Sequence, residues 1–155
     1  MKKFLFLLPF LFLLVCCHKN NNTQWHYYEV GMKRIDTQWR DTSFIVVTSN
    51  SKLIEEVNAD LQKPIDQRRI PFGYLRRGSS GYNHNGRHWF RWHFEENTWE
   101  LADATAELFD GRPYTDVDLH VRYWVDTVGR YACWDAYIKR ELKTEYNAPS
   151  NAPGN

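Results

Sequence analysis

The segment 82–93 holds the densest group of side chains that could bind a ligand or perform chemistry. The residues that we predict to contact a ligand are Tyr82, Asn83, His84, Arg87, Trp89, Arg91 and His93. Aromatic faces can stack on a sugar or another polar ligand, while amide, guanidinium and imidazole groups supply hydrogen bonds. The alternative interpretation is a polar loop, rich in Gly and Asn, that leads into an edge strand.

The same segment contains histidines that could approach a metal. His84, His88 and His93, together with Asp103, would supply the three or four ligands that a zinc site needs. In a strand, however, His88 and His93 point to opposite faces because their separation is odd. We therefore predict no metal site and no cofactor. The serines nearby form no ordered triad or nucleophile elbow, so we also predict no catalytic residue.

The chain begins with a leader that predicts export. Two lysines precede an apolar run at residues 4–15, which is too short for the roughly 20 residues of a membrane-spanning helix and is typical of a signal peptide. The run ends in the string LVCC, which resembles the lipobox of bacterial lipoproteins. This resemblance implies a lipid on Cys17, because Leu14 stands three residues before it and the small Cys16 just before it. Modification of Cys16 is the alternative.

Composition divides the chain into four parts. We predict a signal peptide at residues 1–16, a polar tether at 17–24, one folded domain at 25–142 and a disordered tail at 143–155. Charges nearly balance, with 20 Lys and Arg against 19 Asp and Glu, so the basic excess of a nucleic-acid binder is missing. Cys133 is the only cysteine beyond the leader, so the exported domain has no partner for an internal disulfide.

Patterns of β-branched and aromatic residues position the segment 82–93 within a sheet. They predict strands at residues 25–35, 43–48, 71–77, 88–94, 102–109 and 134–142. In the fourth strand Phe90, Trp92 and Phe94 share one face, which we expect to be buried. Arg91 and His93 lie on the opposite, polar face. The segment before this strand, residues 78–87, is predicted to be a loop.

Two helices complete the predicted domain. Ser49 or Asn50 can cap the first, and Pro64 stops it. Thr115 can cap the second, which is expected to end with Gly129 as a left-handed C-cap. Two helices among mostly hairpin-linked strands predict an α+β fold, with an antiparallel sheet of about four to six strands and both helices packed on one face.

Six short motifs carry a resemblance to a known family. They are the strand–helix string FIVVTSNSKLIEEV, the string FGYLRRG, the pair Tyr82-Asn83, the string FRWHF, the segment 107–111 and the pair Cys133-Trp134. From Phe44 to Leu142 the chain resembles small exported bacterial proteins described as calmodulin-binding-protein-like. They are similar to the N-terminal domain of a eukaryotic calmodulin-binding protein. The resemblance covers nearly the whole domain and implies its fold, but it implies no catalytic residue.

The chain departs from this family pattern at two places. Family members usually have cysteine where this chain has Phe109. They also have a proline between the positions of Cys133 and Trp134, which are adjacent here. If the two cysteines of the family form a disulfide, that bridge is missing from this chain.

These patterns together predict a lipid-anchored, non-enzymatic binding or interaction domain. We expect it at the bacterial cell envelope, on the periplasmic face or the cell surface, with an unknown protein or a small polar ligand as its partner. Two alternatives stay open. One is a small hydrolase or metal-dependent enzyme that uses residues 82–93, and the other is a structural envelope protein.

Overall fold

The computed structural model describes residues 24–34 and 37–143. The leader with Cys16 and Cys17, nearly all of the predicted tether and the tail from residue 144 lie outside these residues. In the described ranges no helix has the length and apolar character that crossing a membrane requires.

The described chain forms nine strands, all paired in antiparallel fashion. They are β1 His26–Met32, β2 Ser43–Thr48, β3 Ile70–Arg77, β4 His84–Asn85, β5 His88–Trp89, β6 Trp92–Phe94, β7 Glu100–Ala102, β8 Arg130–Tyr131 and β9 Ala136–Leu142. The first sheet has the order β2-β1-β9. The second has the order β6-β3-β7, with β8 also paired to β3, and β4 and β5 form a separate hairpin.

The helical elements are one regular helix and one irregular segment. Helix α1 is Ser51–Leu61, and α2 is the single turn Val121–Tyr123 between two wide π-helical turns, Pro113–Asp118 and Trp124–Val128. Short 3₁₀ turns occur at Trp39–Asp41, Ile65–Gln67 and Glu107–Phe109. The α+β class predicted from the sequence is confirmed, and the strands are distributed over three antiparallel sheets.

Several local predictions are confirmed. Strand β2 has the predicted bounds, and β3 begins one residue before them. The side chain of Asn50 caps α1 by accepting hydrogen bonds from the backbone N–H groups of Lys52 and Leu53, which otherwise have no partner in the first turn. Gly129 ends the helical segment with a φ of 73°, a conformation that costs glycine little.

Two predicted elements are wrong. Residues 102–109 are not a strand, because β7 ends at Ala102 and a 3₁₀ turn follows at Glu107–Phe109. Thr115 does not cap the second helical segment, which begins at Pro113 with Arg112 as its N-cap residue. Proline is favoured at that position because its missing N–H would be unpaired there in any case. The Thr115 hydroxyl instead donates to the carboxylate of buried Asp41.

The predicted strand at residues 88–94 is divided into β5 and β6. Phe90 and Arg91 interrupt it because their backbone N–H groups donate elsewhere, to the Asn83 carbonyl at 3.1 Å and to the Asp118 carboxylate at 2.6 Å. The predicted strand at 134–142 likewise begins later, at Ala136, after an exposed turn that contains Trp134.

Aromatic rings fill the space between the two larger sheets. Trp92 lies at the centre, with ring centroids at 5.1 Å from Phe44, 5.3 Å from Tyr131 and 5.4 Å from Phe90. As the sequence predicts, Phe90, Trp92 and Phe94 are all buried. The apolar side chains of both helical segments join this core. They are Leu53 and Val57 from α1 and Val117 and Trp124 from the irregular segment.

Candidate functional site

The structure divides the residues of the predicted ligand site into a buried and an exposed group. Tyr82, Asn83 and His93 are fully buried. They therefore have no surface to offer a ligand, and their polar atoms contribute to the fold. Arg87, Trp89 and Arg91 are exposed, and His84 is half-buried.

The buried amide of Asn83 joins the two larger sheets. Its Oδ1 accepts from the backbone N–H of Ile45 at 2.9 Å, and its Nδ2 donates to the carbonyl of Trp92 at 2.8 Å. Ile45 lies on the free edge of β2, where the ladder leaves backbone groups unpaired. The Trp99 indole donates to the Val47 carbonyl on the same edge at 2.7 Å. Side chains therefore complete the hydrogen bonding of this strand.

Tyr82 and His93 belong to a polar cluster beneath the glycine-rich loop. The Tyr82 hydroxyl donates to the Phe94 carbonyl at 3.0 Å, and His93 Nδ1 donates to the Gly78 carbonyl at 2.7 Å. His93 Nε2 lies 3.6 Å from the carboxylate of Glu96. Burial, together with the negative charge of Glu96, raises the pKa of Tyr82 well above its usual value. The predicted polar face of the strand is therefore covered at His93, because this loop folds over it.

The exposed group lies mainly on the β4–β5 hairpin. His84 and Trp89 are paired across the hairpin, with ring centroids 4.8 Å apart. Trp89 is 52% exposed, and Arg87, in the turn, makes no hydrogen bond or ion pair with the described residues. Such a paired imidazole and indole beside a guanidinium can stack on a planar or sugar-like ligand and bind its polar groups.

A second tryptophan, which sequence reasoning missed, flanks the same hairpin. Trp39 is 46% exposed, and its ring lies so close to Gly86 that a Cβ there would approach within 3.3 Å. Asn85 fixes this arrangement, because its Nδ2 donates to the Trp39 carbonyl at 2.8 Å and to the Thr42 hydroxyl at 3.1 Å. We call Trp39, His84, Arg87 and Trp89 the hairpin patch. A lone tryptophan among the polar residues 36–42 was the signal available in the sequence.

A cavity of about 250 Å³ adjoins the hairpin patch. The hairpin residues His84, Asn85 and Gly86 form one wall, and the outer face of the first sheet forms the floor with Glu29 and Arg140. Burial opposes ionisation of Glu29, but hydrogen bonds from Lys139 and Arg140 outweigh it and lower the pKa of the carboxyl group. The cavity thus contains a fixed, ion-paired carboxylate beside an imidazole and an amide.

The remaining predicted residue, Arg91, lies outside the hairpin patch. The buried carboxylate of Asp118 accepts from its backbone N–H, lies 3.5 Å from its Nε, and is also 3.2 Å from His88 Nε2. His88 is therefore turned inward, with its ring against Phe90 and Tyr114 at about 5 Å.

Groups suited to metal binding or nucleophilic catalysis are not assembled in the described part of the chain. There, His, Cys, Asp and Glu side chains form no group of three or more that could hold a metal ion. Cys133 is a free, buried thiol, and burial raises its pKa to about 12. Since the thiolate is the reactive form, this cysteine is a poor nucleophile at neutral pH.

Position 109 lies beside the segment of Cys133. The backbone N–H of Ala132 donates to the Phe109 carbonyl at 3.0 Å, so a cysteine at position 109 would be near Cys133 in the chain fold. In this protein Phe109 instead packs against Phe72, with centroids 5.5 Å apart. Aromatic packing thus occupies the place where the family resemblance implies a second cysteine.

Comparison with known proteins gives one family. The model of a calmodulin-binding-protein-like N-terminal domain family matches residues 26–145. No curated protein and no solved structure gives a significant match to the chain.

Proposed function

We propose that this chain, which belongs to the calmodulin-binding-protein-like N-terminal domain family, is a non-enzymatic binding domain that a lipid holds at the bacterial cell envelope. Membership of this family confirms the resemblance predicted from the sequence. The observation that carries the binding function is the hairpin patch. Two tryptophans are about half exposed beside Arg87, although tryptophan is usually well buried.

The fold keeps the hairpin patch rigid, which favours binding. Asn85 bonds the hairpin to the turn that carries Trp39, and the neighbouring Asn83 is bonded to both large sheets. A site held by such bonds loses little conformational entropy when a ligand binds. We propose that the ligand is a sugar or another small polar molecule, whose ring or apolar face lies on the tryptophans and whose polar groups reach the adjoining cavity.

The position of the hairpin patch is compatible with lipid anchoring. The tether enters β1 at His26, which pairs with Thr48, whereas Gly31 near the other end of β1 pairs with Ser43. Five residues of strand separate these pairs, which is about 17 Å. Asn85 binds Thr42, next to Ser43, so the patch lies towards the end opposite the tether. A lipid on Cys17 would leave it accessible.

Replacing Cys17 by serine is expected to move the protein from the membrane fraction to the soluble fraction. The proposed anchor is hydrophobic, at about 0.8 kcal/mol for each buried CH₂ group, and the described domain contains no spanning helix. Cys16→Ser is the matched control and should stay in the membrane and incorporate labelled palmitate. Release by Cys16→Ser alone would assign the lipid to Cys16, and retention of both variants without palmitate would refute the anchor.

Binding is tested by thermal unfolding of the detergent-purified protein against a panel of glycans and cell-wall fragments. A ligand at about 100 times its Kd should stabilise the protein by roughly 2.7 kcal/mol. Trp39→Ala and Trp89→Ala should each raise that Kd by about tenfold or more, since truncating a tryptophan in a binding hot spot costs about 2 kcal/mol. Trp134→Ala is the control, because Trp134 is equally exposed but lies outside the patch. An equal loss in the control variant would count against the patch.

A further inference from the structure

A groove of about 690 Å³ lies between the loop that carries Arg91 and the irregular helical segment. Its wall is formed by Arg91 and by residues 119–123, 126 and 127. Two of these are large apolar residues that the domain leaves exposed, Leu119 at 49% and Tyr123 at 53%. The groove contains no residue of the hairpin patch.

An irregular backbone creates this groove. Between the two π-helical turns the chain leaves helical geometry at His120, with φ −116° and ψ 36°. This break places Leu119 and Tyr123 outward, whereas a regular helix would have turned more of its apolar stripe to the core. Wide π turns are rare and occur frequently at functional sites. The irregularity is therefore independent support for a function at this face.

The charge in the groove is positive. Asp118 is neutralised by Arg91, whose Nη2 also donates to the Asp118 carbonyl. Asp126 is neutralised by Arg77, at 2.5 Å. Arg122 forms no ion pair with any residue in the described ranges, and its guanidinium is exposed. The groove thus presents an unpaired guanidinium, a second one fixed by Asp118, and the imidazole of His120.

We propose that this groove binds an acidic protein segment that carries an apolar side chain. Guanidinium groups bind carboxylates with strong, directional hydrogen bonds, and Arg and Tyr are enriched where proteins contact one another. Leu119 and Tyr123 would contact the apolar side chain, while Arg91 and Arg122 would bind the flanking carboxylates. This surface is additional to the hairpin patch, so the domain would bind a ligand and a protein at different faces.

The test uses a fluorescein-labelled peptide, Glu-Phe-Glu-Phe-Glu, and measures its fluorescence anisotropy with the detergent-purified full-length protein. The peptide should bind, and Arg122→Glu should weaken binding at least tenfold at physiological salt. Lys52→Glu makes the same change in net charge on the exposed first turn of α1 and should change binding less than twofold. Leu119→Ser should weaken binding several-fold, which a purely electrostatic attraction would not produce.

Three results would overturn the proposal. The first is no binding of the peptide by the unmodified protein. The second is an equal loss in Arg122→Glu and Lys52→Glu, which would mean attraction to net charge alone. The third is Arg122-dependent binding of vesicles that contain phosphatidylglycerol without binding of the peptide, which would assign the groove to a membrane. Trp89→Ala should leave peptide binding unchanged, so this test and that of the hairpin patch can fail separately.

Discussion

Replacing Trp92 by alanine is expected to lower the free energy of unfolding by about 4 kcal/mol. The ring is 0% exposed and contacts Phe44, Tyr131 and Phe90 at centroid distances of 5.1–5.4 Å. Its removal would leave a large cavity between the two sheets. It would also leave the Pro113 carbonyl without the indole N–H that donates to it at 3.0 Å. Urea unfolding followed by far-UV circular dichroism measures the change.

Trp89→Ala is the matched control for this prediction. It removes the same side chain three residues earlier, but Trp89 is 52% exposed, so its loss should cost less than about 1 kcal/mol. Trp92→Phe provides a milder change if the alanine variant does not fold. It retains aromatic packing and loses mainly the bond to Pro113, at a cost of about 1–3 kcal/mol. Similar values for Trp89→Ala and Trp92→Ala would show that Trp92 does not organise the core.

Replacing Asn83 by alanine should destabilise the protein by about 3 kcal/mol, because the change would leave two buried backbone groups unpaired. These groups are the N–H of Ile45 and the carbonyl of Trp92. Each unpaired buried group costs about 1–3 kcal/mol. Asn83→Asp should be worse than alanine, because a buried carboxylate would face the Trp92 carbonyl, which is an acceptor. The measurement is again the urea midpoint and slope by circular dichroism.

Asn58→Ala is the control for the Asn83 variants. Asn58 is exposed on α1, and alanine favours the helix, so its replacement should change stability by less than about 0.5 kcal/mol. A comparable effect at Asn58 and Asn83 would contradict a special role for the amide that joins the sheets. Binding assays on the hairpin patch should therefore avoid Asn83, since its loss would weaken the fold that positions the patch.

The two candidate surfaces differ in how they are built. The hairpin patch rests on a short hairpin held by polar side chains, chiefly Asn85. The groove rests on a break in a helical segment whose first turn is held by Asp41, which accepts from the N–H groups of Tyr114 and Thr115 at 2.7 and 2.9 Å. In both cases a buried or half-buried polar side chain fixes irregular backbone at the surface, where binding residues commonly occur.

Local sequence patterns were sufficient to predict several elements of the fold. The β-branched run of β2, the Asn50 cap, the Gly129 cap and the alternation through Phe90, Trp92 and Phe94 each depend on residues close in the chain. Such signals operate through backbone geometry and the burial of one face, which neighbouring residues determine. The short apolar run that ends in LVCC is likewise a property of contiguous residues, and the proposed lipid anchor depends on it alone.

Only the tertiary structure decided which polar residues are exposed. Asn83 and Ile45 are 38 residues apart, and Arg91 and Asp118 are 27 apart, so no local period encodes their hydrogen bonds. His93 was expected on a polar face but is buried, because a glycine-rich loop from elsewhere in the chain covers it. Trp39 joined the candidate site through contacts with Gly86 that its own neighbours do not predict. A residue's type and spacing determine what its side chain can do, whereas contacts between distant segments determine whether solvent, and hence a ligand, can reach it.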